Sequence, residues 1–121
     1  MVEIMRRGDI WLARLNPNTG AEIGKVRPVV ILLAQRYLDA GSPVVMVAPL
    51  TTQLWPGMTA LRIAVPQRGR LLKDSFVALE QTRALDRSRF GDTRLAELSA
   101  EEMQILDRQL MAMFGMVIAP H

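Results

Sequence analysis

Six short segments rich in bulky and β-branched apolar residues, each closed off by turn formers, confine this chain to a small, strongly bent antiparallel architecture. They are Asp9 to Leu15 (DIWLARL), Arg27 to Leu33 (RPVVILL), Val44 to Leu50 (VVMVAPL), Ala60 to Val65 (ALRIAV), Ser75 to Leu79 (SFVAL) and Thr82 to Leu85 (TRAL). Pro28 stands at a strand start, where a missing N–H does least harm. In the fourth segment Arg62 is expected to point outward. A single helical turn is expected at Gln35 to Leu38, between the second and third strands. The period changes only near the end: Met103, Leu106, Leu110 and Met113 recur at helical spacing, and Ser99 with Glu102 forms a capping box. The pattern therefore predicts a bent sheet or barrel with one C-terminal helix packed on it. A chain of 121 residues without internal repeat or linker makes one domain, residues 1–121.

Composition narrows the chemistry more than the fold. There is no Cys, and the only His is His121, so disulfides, thiolate zinc sites and most imidazole catalysis are excluded. Any catalysis falls to Arg, Thr, Ser, Asp or Glu. Acidic residues lie singly along the basic region, which offers no cluster to hold two metal ions. The sequence thus implies no metal and no cofactor. Gly20 to Lys25 (GAEIGK) looks superficially like a phosphate loop, but it is one residue short and places Val26 where a magnesium-binding hydroxyl belongs. The longest apolar runs, Val29 to Ala34 and Val44 to Leu50, are too short to cross a bilayer, and no secretory core follows Arg6 and Arg7. A cytoplasmic protein with no membrane partner is expected.

Charge is uneven. Residues 1–94 carry 14 basic against 8 acidic side chains, a net +6, whereas residues 95–121 carry 1 against 4, a net −3. Thirteen of the 15 cations are Arg, whose planar fork matches phosphate oxygens. A polyanion is one partner this composition fits; solvation of a small domain is the other. Two loops are long enough to do work: Asn16 to Val26 (NPNTGAEIGKV), holding Glu22 and Lys25, and Thr51 to Met58 (TTQLWPGM). Trp55 and Phe90 are candidates either for stacking on splayed bases or for ordinary packing. Met103, Met111, Met113 and Met116 fit the core or an interface between two copies.

Six motifs occur in a fixed order: Arg7-Gly8-Asp9-Ile10-Trp11; the loop Asn16 to Lys25; Arg27-Pro28-Val29-Val30-Ile31; Pro49-Leu50-Thr51-Thr52-Gln53; Lys73-Asp74-Ser75-Phe76-Val77; and Glu80-Gln81-Thr82-Arg83-Ala84-Leu85-Asp86. Together they resemble the MazF/PemK-like endoribonuclease toxins, over about residues 6 to 114. The resemblance implies a mainly β (α+β) fold, an SH3-like small barrel of about five to seven strands with a C-terminal helix, assembled as a homodimer. It further implies a sequence-specific, metal-independent cut in single-stranded RNA, leaving 2′,3′-cyclic phosphate and 5′-hydroxyl ends. The partner it implies is an antitoxin with an acidic, disordered tail.

Carried over residue by residue, the resemblance assigns the catalytic Arg to Arg27 and the catalytic Thr to Thr51. A fixed guanidinium stabilises charge building on a phosphate under attack, and a β-branched hydroxyl orients the reacting group. Arg27 has an alternative as a strand-end partner of Asp9 or Glu22, and Thr51 as a turn hydroxyl capping a backbone N–H. Glu22 and Glu80 are candidates for an auxiliary base; Glu80 has an alternative as the ion-pair partner of Arg83 or Arg62. Lys25, Thr52, Gln53, Gln81 and Arg83 are candidate RNA contacts, with Gln81 and Arg83 expected to share one face of a strand and Arg83 alternatively paired with Asp86 or Asp74. One branch of the family has a His before the loop glutamate and an Arg two residues before the later carboxylate; here those positions are Ala21 and Ala78. A mechanism resting on that pair does not operate in this chain. Two rivals remain: a CcdB-like gyrase inhibitor acting through the apolar ending Gly115-Met116-Val117-Ile118, and a non-catalytic SH3-like RNA-binding module.

Overall fold

Neighbouring residues of a strand point to opposite faces, and here both faces of the central strands are buried. Ile10 and Trp11 are inaccessible to solvent, as are Val29, Val30 and Ile31, yet they divide between two apolar clusters. Ile10, Val30, Ala48, Leu50 and Val77 belong to one, with Leu106 of the C-terminal helix. Trp11, Val29, Ile31, Val45, Val47 and Leu85 belong to the other. This double burial is why the runs read as continuous rather than alternating.

The computed structural model describes residues 4–16, 20–54 and 56–116. Its strands are β1 (Asp9–Arg14), β2 (Val26–Ile31), β3 (Val44–Thr51), β4 (Arg62–Val65), β5 (Ser75–Ala78), β6 (Arg83–Asp86) and β7 (Phe90–Glu97). A short helix α1 (Gln35–Asp39) links β2 to β3, and α2 (Ala100–Met113) closes the order. All pairings are antiparallel. The sheet runs β4-β5-β3-β2-β1-β7, with β6 also on β3. The long strand β3 thus serves two partners along one edge: Val44 to Val47 pair with β6, and Leu50 and Thr51 pair with β5. That exchange bends the sheet into a curled, open barrel, the mainly β architecture expected. Ser99 and Glu102 form the capping box, each side chain receiving the other's backbone N–H. Helix α2 then lays Leu106, with Met103, Leu110 and Met113, on the first cluster.

Four local expectations are corrected. Arg62 does not point outward: the residue is only 8% exposed, because the chain enters β4 from a 3₁₀ turn over Thr59–Leu61 rather than from a strand beginning at Ala60. Leu79–Gln81 form another 3₁₀ turn. Gln81 and Arg83 therefore do not alternate along one strand, and Glu80 is a turn carboxylate rather than a strand one. Strand β7 has no counterpart among the six expected segments, since most of its residues are at least partly exposed and it carries no apolar run. It adds to β1 through an irregular ladder whose register shifts twice between Ile10 and Ala13.

Candidate functional site

Strand register brings the two assigned catalytic residues together. In the β2–β3 ladder Val29 faces Pro49, Val30 faces Ala48 and Ile31 faces Val47. The paired residues end at Val29 and Pro49, two residues short of Arg27 and Thr51, which lie at the end where both strands give way to loops. The two line a cleft of about 210 Å³ with Glu22, Ile23, Gly24, Thr52, Gln53 and Arg62. A more apolar hollow of about 350 Å³ shares Arg27, Thr51 and Thr52 and adds Arg70 and Lys73 at its far wall.

Arg27 is exposed, and no described residue forms a hydrogen bond or ion pair with its guanidinium. The alternative partner Asp9 is committed elsewhere. It is buried, accepts the Arg6 N–H at 2.8 Å and the Trp11 Nε1–H at 3.4 Å, and pairs with Arg94 at 3.6 Å. Thr51 does carry the turn role considered for it: its Oγ1 accepts the Gln53 N–H at 3.2 Å. That bond occupies a lone pair and leaves the hydroxyl proton to donate elsewhere. Thr52 and Gln53 are exposed beside it.

Behind the cleft, Arg62 donates from Nε to Glu80 Oε1 at 3.2 Å and from Nη2 to Glu80 Oε2 at 2.5 Å. Its Nη1 donates to the Gln53 carbonyl at 2.6 Å. Of the two partners considered for Glu80, the structure thus selects Arg62. Arg83 instead donates to the Leu15 carbonyl at 3.1 Å. Hydrogen bonds from the Ser88 side chain and then from its N–H hold the Asp86 carboxyl below the usual range, and Asp74 accepts from the Gln67 N–H.

The wall formed by the first loop is pinned rather than loose. The Gln81 side chain accepts the Ile23 N–H at 3.2 Å and donates to the Ala21 carbonyl at 3.1 Å. At the base of the loop Leu15 donates to the Lys25 carbonyl at 2.7 Å, and the Lys25 N–H donates to Asn16 Oδ1 at 2.8 Å. Lys25 adopts a left-handed φ of 65°, the only non-glycine residue to do so among those described. Such a backbone costs about 1–3 kcal/mol and persists only where surrounding bonds over-determine it. A further hollow is lined by Ala21, Glu22, Glu80, Gln81, Thr82 and Arg83. The structure therefore gathers the expected residues around one loop but divides their roles. Arg27, Thr51, Thr52, Gln53 and Glu22 face the cleft, whereas Gln81 and Arg83 bond to the loop backbone.

Sequence reasoning missed Arg62, Arg70 and Lys73 as parts of this region. Arg62 alone carried a signal, a single charge inside the run ALRIAV. Phe90 packs against the Trp11 cluster, the packing alternative. Trp55, the Pro17-Asn18-Thr19 part of the first loop, and Val117 and Ile118 of the apolar ending lie outside the described residues, as does His121. Among the described residues no three His, Cys, Asp or Glu gather at one point, and no helix is long and apolar enough to cross a membrane.

An accessible guanidinium and a hydroxyl lining one cleft suit a phosphodiester undergoing attack, since both donate to its non-bridging oxygens. Comparison with known proteins identifies the family. Residues 6–114 match the family described as PemK-like, MazF-like toxin of type II toxin-antitoxin system. The chain is 35% identical over 117 residues to an Endoribonuclease MazF of Staphylococcus saprophyticus, covering 93% of both chains. Its fold matches a crystal structure of MazF from Deinococcus radiodurans with a TM-score of 0.77 at 24% identity, covering 94% of this chain and 99% of that one. It also matches an endoribonuclease in complex with its cognate antitoxin from a mycobacterial species, with a TM-score of 0.74 at 17% identity and coverage of 93% and 97%.

Proposed function

Because the chain belongs to the PemK-like, MazF-like toxin family of type II toxin-antitoxin systems, we propose that it is an endoribonuclease that cuts single-stranded cytoplasmic RNA at short sequence motifs without a metal ion. The observation that supports this reading is that Arg27 and Thr51 line one cleft beyond the end of the β2–β3 ladder. In the proposed reaction the ribose 2′-oxygen attacks the adjacent phosphorus and loses its proton to a base. The bond to the 5′-oxygen breaks, and that oxygen takes up a proton, so the products are a 2′,3′-cyclic phosphate and a 5′-hydroxyl. Arg27 stabilises the charge that builds on the non-bridging oxygens, and Thr51 donates its hydroxyl proton to one of them. Arginine is a poor proton acceptor because its pKa lies above ~12, so its role is electrostatic. Glu22 is the accessible carboxylate of the cleft and the candidate base.

Lys25, Thr52 and Gln53 supply contacts to the RNA on either side of the scissile phosphate. Gln81 and Arg83 act on the RNA through the loop they hold. The chain works as a homodimer and is restrained by an antitoxin whose acidic, disordered tail competes for the same cations; the mycobacterial relative crystallised with its antitoxin supports that partnership.

Incubating the purified chain with a long single-stranded RNA in EDTA, and mapping the ends, tests the proposal. Discrete cuts ending in cyclic phosphate are expected. Intact RNA together with blocked gyrase would instead favour the gyrase inhibitor.

A further inference from the structure

The charged pair behind the cleft takes no part in the chemistry proposed above, and its geometry gives it another task. The Arg62 side chain is 1% exposed and that of Glu80 13%. Although Arg62 lines the cleft, its Nε and Nη2 are engaged by Glu80 and its Nη1 by the Gln53 carbonyl, so it is not assigned as a second catalytic arginine. Both carboxylate oxygens of Glu80 receive N–H bonds from Arg62. A buried ion pair adds little stability, because desolvating both charges offsets most of their attraction. What a bidentate pair does supply is a guanidinium fixed in position and plane.

The third direction of that guanidinium leads to the site. Nη1 of Arg62 holds the Gln53 carbonyl at 2.6 Å, and the N–H of Gln53 bonds Thr51 Oγ1 at 3.2 Å. The order of connection is Glu80, Arg62, the Gln53 backbone, then the Thr51 hydroxyl. Three pieces of chain separated in sequence (the end of β3 with the turn after it, β4, and the 3₁₀ turn at Leu79–Gln81) meet in this one line. We infer that Arg62 and Glu80 are positioning residues: the pair anchors the Gln53 backbone so that Thr51 keeps its lone pair occupied and its proton aimed at the scissile phosphate. Glu80 then serves as the counter-ion of Arg62 and not as a proton acceptor. The inference rests on the endonuclease reading for its catalytic meaning, while the anchoring itself is a property of the free protein.

The test uses the full-length chain carrying Arg62→Met together with Glu80→Leu, which removes both charges and leaves neither one buried alone. Thermal unfolding should stay close to wild type. Hydrogen exchange at the Gln53 amide should speed up at least tenfold. Single-turnover cleavage should fall about ten- to a hundredfold, the scale of a small misplacement of a reacting group. Affinity for the same RNA bearing a 2′-deoxyribose at the cut site should change less than twofold. Glu80→Gln, which keeps one acceptor for Arg62, should lower the rate severalfold and leave the shape of its pH profile unchanged. Loss of the acidic limb of that profile would make Glu80 the base and overturn the inference. A folded double variant that cuts RNA at the wild-type rate, or whose Gln53 amide exchanges as before, would overturn it too. A wild-type chain that cuts nothing would sink the endonuclease reading, and the Gln53 amide would still report whether the anchor exists.

Discussion

Replacing Thr51 by Val separates the two roles that the structure gives its hydroxyl. Valine keeps the shape and the β-branched backbone preference and removes only the oxygen. The lost bond to the Gln53 N–H is long, at 3.2 Å, and lies at a partly exposed turn where water can replace it. It is therefore worth about 0.5 kcal/mol, the low end for a neutral hydrogen bond. For a chain of 121 residues, an unfolding entropy of roughly 2.1 cal/mol/K per residue turns that into a melting shift of about 2 °C. A bond from the same hydroxyl to a charged phosphate oxygen is worth about 1.5–3 kcal/mol, which corresponds to about ten- to a hundredfold in rate. Differential scanning fluorimetry and single-turnover cleavage should thus diverge sharply for Thr51→Val. Thr52→Val, which removes an exposed hydroxyl proposed to contact the RNA away from the reacting group, should leave the melting temperature nearly unchanged and cost less in rate than Thr51→Val. If Thr51→Val cuts at the wild-type rate, the hydroxyl is only a turn cap; if Thr52→Val is the more damaging change, the catalytic hydroxyl belongs to the neighbouring residue.

Three further outcomes are expected. Arg27→Lys should lower cleavage ~10²- to 10³-fold with no change in melting temperature, because a point charge does not reproduce the fork and no described residue depends on that guanidinium; single-turnover rates beside a melting curve check it. Gln81→Leu removes both side-chain bonds to the Ala21–Ile23 backbone, a loss of about 1 kcal/mol that should raise the KM for RNA about fivefold with kcat little changed, and should speed hydrogen exchange at Ile23. Burial opposes ionisation of Glu102, but hydrogen bonds from Arg68 and from the Ser99 N–H outweigh it and hold the carboxyl below its usual value of 4.5. A depressed folded-state pKa means that its stabilisation is complete above that usual value and disappears as pH falls through the lower folded one. The melting gap between wild type and Glu102→Gln should therefore be constant from about pH 7 to about pH 5 and close in more acid solution.

Much of the fold was legible because its central strands are buried on both faces. Val29, Val30 and Ile31 announce themselves as a strand whichever face each one takes. The capping box at Ser99 and Glu102 was legible for the opposite reason, since it is satisfied within one turn of chain. Strand β7 was not, because its place depends on the unpaired edge of β1 and not on its own half-exposed residues. Arg62 was half legible. Its pairing with Glu80 was one of the two partners the sequence offered and is the one found, but a lone arginine in an apolar run reads as outward when its counter-charge lies 18 residues further on. The assignment of Arg27 with Thr51 came from family resemblance, and the structure adds that both line one cleft beyond the end of the β2–β3 ladder.

The contrast between Arg27 and other arginines of the chain bears on how the cleft would recruit a polyanion. Arg62 and Arg68 are committed to carboxylates by bidentate bonds, and Arg83 and Arg87 donate to backbone carbonyls. Drawing any of these onto a phosphate would first break a bond that the fold uses, and would leave a carboxylate or a carbonyl without its donor. Arg27 exchanges only water. Its encounter with RNA therefore carries no internal penalty, and the charge it offers is counted in full by the salt dependence of binding. On the proposed reading the same freedom makes Arg27 the first contact for an acidic peptide, and substrate and inhibitor would then compete for one cation. Catalysis on this reading needs both kinds of arginine: one left unpaired to meet the phosphate, and one paired out of reach so that the hydroxyl beside it stays in place.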